Sequence, residues 1–200
     1  MQKIIIASGN RGKIAEIKSV LAEQAIELVA KTEFGIEDPD ETGLSFVENA
    51  ILKARHAASL SHLPALADDS GLVVDALQGA PGIYSSRYAG IDASDEENVE
   101  KLLYEMKGFT GNERSAYFFC AIAFVLHAED PCPVIAEARW HGQIASSASG
   151  TQGFGYDPVF YLNSHHCTAA ELDPKVKNKL SHRAQALHSF GVMVKEYGLF

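Results

Sequence analysis

Apolar positions recur with two different periods along this chain, and each change of period marks an element. Ile4-Ile5-Ile6 is a short β-branched run, as a buried strand carries. After the turn cluster Ser8-Gly9-Asn10-Arg11-Gly12 the spacing becomes helical: Ile14, Ile17, Val20 and Leu21 share one face from Lys13 onward. Ser45-Phe46-Val47-Glu48 fits a capping box, with the stripe Phe46, Val47, Ala50, Ile51, Ala54, Ala57 and Ala58 behind it. Glu48, Lys53, Arg55 and His56 fall off that stripe. Past Pro64, Ala65-Leu66-Ala67 reads as a strand, Asp68-Asp69-Ser70-Gly71 as a turn, and Leu72-Val73-Val74 as the next strand.

A second capping box at Ser94 to Glu97 opens a helix carrying Val99, Leu102, Leu103 and Met106, with Gly108 as its stop. Residues 115–127 and 133–145 read as long strands joined by a short link, hence an antiparallel hairpin. Alternation is plain in Val134, Ala136, Ala138 and Trp140. Residues 158–162 read as a further strand. A last helix starts near Ser181, with Leu187, Phe190, Val194 and Tyr197 inward. The order β-α-α-β, α, hairpin, β-α predicts a mixed α/β fold with a partly antiparallel sheet. The hairpin is long enough to link two lobes, and a cleft between lobes is a usual ligand site. With no repeat, low-complexity tract or linker, residues 1–200 are expected to form one domain.

Composition narrows the classes. Hydrophobic residues at 46% and charged residues at 22% are ordinary globular values and exclude collagen-like, disordered and coiled-coil chains. No apolar run nears the ~18 residues of a membrane span, and the opening MQKIIIASGN lacks a signal-peptide stretch, so no membrane is expected. Cys120, Cys132 and Cys167 form no CxxC pair, which predicts a reduced cytoplasmic protein. The net charge of −9 argues against nucleic acid as a partner. It leaves room for a small anion held by a local positive cluster.

Four short motifs could carry chemistry. At 8–13 (SGNRGK), glycines, a helix start, the Ser8 hydroxyl and Lys13 could bind an anion; the spacing Gly9-x-x-Gly12-Lys13 is too short for a P-loop. An ordinary strand-to-helix loop fits it as well. Asp68-Asp69, with Glu41 in reach, suits Mg²⁺, which takes oxygen ligands and bridges to phosphates; solvated turn acids fit equally. Gly153-Phe154-Gly155-Tyr156-Asp157-Pro158 frees an aromatic ring to stack on a flat ligand, or plugs a tight turn. Lys175, Lys177 and Lys179, followed by Ser181-His182-Arg183, offer point charges and a planar fork, or a solvated helix end.

Together these motifs, with ETG at 41–43, ENA at 48–50, Lys53-Ala54, ADDSG at 67–71, and Gly79 to Gly82 with Ser85, Arg87 and Tyr88, resemble in order the inosine/xanthosine triphosphate pyrophosphatase family. The resemblance spans essentially the whole chain. It implies a two-lobed fold with a long central sheet flanked by helices, a homodimer, and Mg²⁺-dependent hydrolysis of a purine nucleoside triphosphate to monophosphate and pyrophosphate. Under it, Asp69 is the candidate general base, with Glu41 and Lys53 in the catalytic set. Glu41 and Asp69, with Asp68 as a third candidate, hold the metal. Ser8, Gly9, Asn10, Arg11, Gly12 and Lys13 receive the phosphates. Phe154 and Gly155 meet the base, Lys177 and His182 border it, and Arg183 donates to the 6-carbonyl that adenine lacks. Ser70, Tyr156 and Asp157 also contact the nucleotide by resemblance. Two rival readings are a pyrophosphatase for other modified bases and a non-enzymatic nucleotide-binding regulator.

Overall fold

The computed structural model describes residues 2–22 and 26–199. Its strands are β1 (Gln2–Ile6), β2 (Ile26–Ala30), β3 (Ala65–Val74), β4 (Ser115–Val125), β5 (Val134–Ile144), β6 (Phe160–Leu162) and β7 (Cys167–Thr168). Its α-helices are α1 (Arg11–Val20), α2 (Phe46–Ser61), α3 (Asp95–Glu105), α4 (Pro174–Leu180) and α5 (His182–Glu196). The strands are hydrogen-bonded in the order β2-β1-β3-β4-β5-β6-β7. β1 runs parallel to β2 and to β3, while β6 runs antiparallel to β5 and to β7. The fold is mixed α/β with a partly antiparallel sheet, as the patterning predicts. No described helix is long and apolar enough to cross a membrane.

The predicted elements form, with differences that have physical reasons. α1 starts at Arg11 rather than Lys13, because Asn10 caps it: the Asn10 side chain accepts from the backbone N–H of Gly12 and Lys13. In α2, Ser45 Oγ accepts from Glu48 N, but Glu48 reaches back to the Leu44 N–H, so only half of the expected box closes. In α3 both halves close between Ser94 and Glu97. The expected turn at residues 68–71 does not exist; β3 runs through it as one ten-residue strand. Tyr197, expected inward, is 62% exposed. β2, β7 and α4 escape the sequence pattern. β7 is two residues long, and α4 has seven, started by Asp173 as cap and Pro174 at its first position.

Two compact units divide the chain. The first, residues 1–70, 120–138 and 182–200, has a core of Ile4, Ile6, Ile17, Leu66, Ile122, Phe124, Leu187, Phe190 and Val194 among others. Phe124 and Phe190 meet there in a tilted pair, ring centroids 5.6 Å apart. Ile17 is fully buried one turn beyond Lys13, so α1 is anchored on the face that carries this lysine. The second unit, residues 71–119 and 139–181, is built around Leu72, Leu102, Met106, Phe118, Trp140 and Phe160. Phe118 and Trp140 pack on Phe160 at 4.6 and 5.3 Å between centroids. Burying each such ring stabilises its unit by about 1.5–3 kcal/mol.

Candidate functional site

Two consecutive acids stand inside a buried strand. Successive side chains of a strand point to opposite faces, so Asp68 and Asp69 find different partners. Asp68 Oδ2 lies 3.0 Å from Lys13 Nζ and accepts from Arg183 Nε at 3.1 Å and from the Ser70 hydroxyl at 3.3 Å. Burial opposes its charge, but Lys13, Arg183 and Lys53 outweigh that and hold the carboxyl far below the usual range. Asp69 Oδ1 accepts from Lys53 Nζ at 2.7 Å. Here burial wins over Lys53, and Glu41 pushes the same way, so the Asp69 pKa is raised. Environments that separate two neighbouring carboxyl groups in this way fit a division of roles, one fixed charge and one proton acceptor.

Lys53 lies off the apolar stripe, yet it is buried on α2 with Asn49 one turn before it. Its ammonium links Asp69 to Glu41, whose Oε1 accepts at 3.0 Å. Burial disfavours that charge, but Asp69, Asp68 and Glu41 raise the lysine's pKa above its ordinary value. Asn49 holds the same loop through its backbone, its Oδ1 accepting from Gly43 N at 2.8 Å. A Cβ on Gly43 would stand 2.6 Å from that oxygen, so glycine is required by close approach. Asp68 Oδ1 and Asp69 Oδ2 are buried with no hydrogen-bond partner among the described residues. Two orphan carboxylate oxygens suit a hard cation that completes its shell with water and phosphate. Among the described residues, no three His, Cys, Asp or Glu side chains are grouped closely enough to hold a metal ion by themselves, so water and phosphate would have to supply the rest of its shell.

The segment 8–13 opens α1. Ser8 is buried and its Oγ accepts from Asn10 N at 3.2 Å, whereas Gly9, Asn10, Arg11 and Gly12 are exposed. The amides of Gly12 and Lys13 are taken by Asn10. What the segment offers an anion is the positive end of the helix and Arg11, with Lys13 shared with Asp68. His182 is buried at the first position of α5. Arg183, expected as a donor to a base, is only 2% exposed. It donates to Asp68, to Glu16, and through Nη2 to Ser70 Oγ at 2.9 Å. In this structure its fork neutralises Asp68, and Ser70 belongs to the same network.

In the second unit, Phe154 is 38% exposed, with Lys177 Nζ 5.2 Å from its ring centroid. Asp157 is buried; it accepts from Lys177 Nζ and from Phe154 N, the latter at 2.9 Å. A Cβ on Gly153, whose φ is +81°, would stand 2.1 Å from Asp157 Oδ2. Gly155 N donates to Asp95 Oδ2 at 2.7 Å, which fixes the loop to the start of α3. Tyr156, expected at the nucleotide, is buried, and its hydroxyl donates to the Ser85 carbonyl at 2.8 Å. Sequence reasoning passed over Glu16, Asn49 and Asp95 as parts of the site. Asn49 leaves a signal, a polar residue one turn before Lys53 and beside the apolar stripe of its helix.

Known proteins match this arrangement along nearly its full length. The Ham1 family profile matches residues 4–192. A dITP/XTP pyrophosphatase of Legionella pneumophila (strain Lens) is 56% identical over 196 residues, 98% of this chain and 100% of the relative. One of Yersinia pestis is 55% identical over 187 residues, 94% and 95% of the two chains. Among solved structures, a HAM1 protein from Coxiella burnetii is 49% identical with a TM-score of 0.92, covering 98% of this chain and all of the other. The Staphylococcus aureus Ham1 protein is 39% identical with a TM-score of 0.87 over 98% and 100%. With the acids, lysines and glycine turns in place and the match running from end to end, this chain belongs to the Ham1 family.

Proposed function

We propose that this chain is a Mg²⁺-dependent nucleoside triphosphate pyrophosphatase. Its substrates are non-canonical purine nucleotides such as dITP, ITP and XTP, and its products are the monophosphate and pyrophosphate. The names of its relatives support the reaction. The observation that carries it is the split acid pair, Asp68 held ionised and Asp69 raised beside Lys53. Asp69 takes the proton of the attacking water. Lys53 holds that carboxylate and Glu41 in register, and Lys13 and Arg11 meet the phosphates at the start of α1. Glu41 and Asp69, with Asp68, would hold Mg²⁺, which when bound offsets charge on the phosphates. Phe154 stacks on the base, set in place by Asp157 and Lys177. The three cysteines are free, which supports a reducing cytoplasm; a homodimer is part of the same reading.

Pyrophosphate release from inosine, xanthosine, adenosine and guanosine triphosphates, with Mg²⁺ and then with excess chelator, tests this. Metal-dependent release from inosine and xanthosine triphosphates, and not from adenosine or guanosine triphosphate, is expected; guanine shares the 6-carbonyl, so its exclusion falls to the 2-position. Release from other modified bases alone would move the specificity. Nucleotide binding without release from any substrate would make the chain a binding protein and end the mechanism. Light scattering at working concentration tests the dimer.

A further inference from the structure

Lys31 follows β2 and is 3% exposed, an unusual place for an ammonium group. Its Nζ is paired with Asp38 Oδ1 at 2.8 Å. The two partners differ sharply in solvation: the Lys31 side chain is 4% exposed and that of Asp38 is 62%. The pair lies against Gly9 in the phosphate segment. A Cβ built on Gly9 would stand 3.5 Å from Asp38 Oδ2 and 3.8 Å from Lys31 Cε. A buried cation and a solvated carboxylate therefore share the edge of a loop whose expected ligand is a polyanion. Such a ligand and Asp38 compete for one ammonium, and Asp38 also repels the ligand.

We infer that Lys31 is a further polyphosphate-binding residue and that Asp38 is its internal competitor, releasing the ammonium when phosphate arrives beside Gly9. This rests on the reading of residues 8–13 as the phosphate segment. Asp38 then costs affinity while keeping Lys31 satisfied in the empty site. It also sets a threshold by charge: a triphosphate displaces it better than a monophosphate, so the monophosphate product leaves readily.

The test uses the full chain with two readouts, KM for inosine triphosphate and the Kd for inorganic pyrophosphate by calorimetry in chelator. Lys31→Met should raise both about tenfold, the worth of one charge-assisted hydrogen bond, with kcat within about twofold. Asp38→Asn should lower both by about threefold or more. Thermal melting of both variants checks that they fold. If Asp38→Asn raises both constants as Lys31→Met does, Asp38 merely orients the lysine and competition is refuted. If neither substitution moves either constant, the pair is a strut and the inference falls. Lys13→Ala separates the layers: if it too leaves pyrophosphate binding unchanged, the phosphate segment is misassigned and the inference falls with it.

Discussion

Arg183→Met takes the more deeply buried of two paired cations away from a carboxylate buried in mid-strand. Three side chains lose a donor at once: Asp68, Ser70 and Glu16. Removing one partner of a buried ion pair costs about 3–5 kcal/mol. Lys13 remains 3.0 Å from the same Asp68 oxygen, and its own side chain keeps 18% exposure. The remaining lysine places the loss at the low end, about 3 kcal/mol. For a chain of this length that lowers the midpoint of thermal unfolding by roughly 6–12 °C. Circular dichroism melts in chelator measure it. Asp68→Asn in the Arg183→Met background should recover part of the loss, because it removes the uncompensated charge. The pH dependence has a definite sign. Asp68 is held below the ordinary carboxylate value, so its pairing stabilises the wild type above about pH 4 and is lost as pH falls below it. The gap between wild type and Arg183→Met should be widest at neutral pH and close in acid. A midpoint within about 2 °C of wild type, or a gap that ignores pH, would refute the reasoning.

Asp69→Asn keeps the shape and removes the base, so turnover should fall by at least about 10²-fold while nucleotide binding holds; unchanged turnover would take Asp69 out of the chemistry. Tyr156→Phe should cost about 1 kcal/mol in denaturant unfolding, through the lost bond to Ser85; an unchanged KM would make its role structural, and a raised KM would make it a nucleotide contact. Gly153→Ala forces a Cβ to 2.1 Å from Asp157 Oδ2 and 2.9 Å from Lys177 Nζ. KM should rise roughly tenfold as the base stack on Phe154 is lost, and an unaffected KM would dissociate that loop from the base.

Some of this was written in the local sequence. Ser94 and Ser45 announce their helices because a cap is a contact within three residues. The alternation of β5 is legible because Val134, Ala136, Trp140 and Ile144 are buried on one face, with no buried residue on the other. β3 is not, because Asp, Ser and Gly at 68–71 favour turns, and only side chains far away in sequence override them. Lys53 looks solvent-facing for the same reason: its burial is licensed by Asp69 and Glu41, which helical periodicity does not see. Arg183, Asp68 and Ser70 are each legible from their motifs, but Glu16 is not, since it lies 167 residues from the arginine it pairs with. β2 and β7 are short, and their pairing rather than their composition defines them.

The neutralisation of Asp68 by Arg183 also bears on how the protein is made. The arginine follows the acid by 115 residues, so a ribosome completes β3 long before it supplies the second cation. During that interval Asp68 has its lysines alone, and sealing this strand from water is correspondingly less favourable. The burial of Asp68 thus gains its second cation only after α5 has been synthesised and docked. A chain that ends before Arg183 leaves Asp68 short of that cation, so incomplete products are expected to be less stable at this strand.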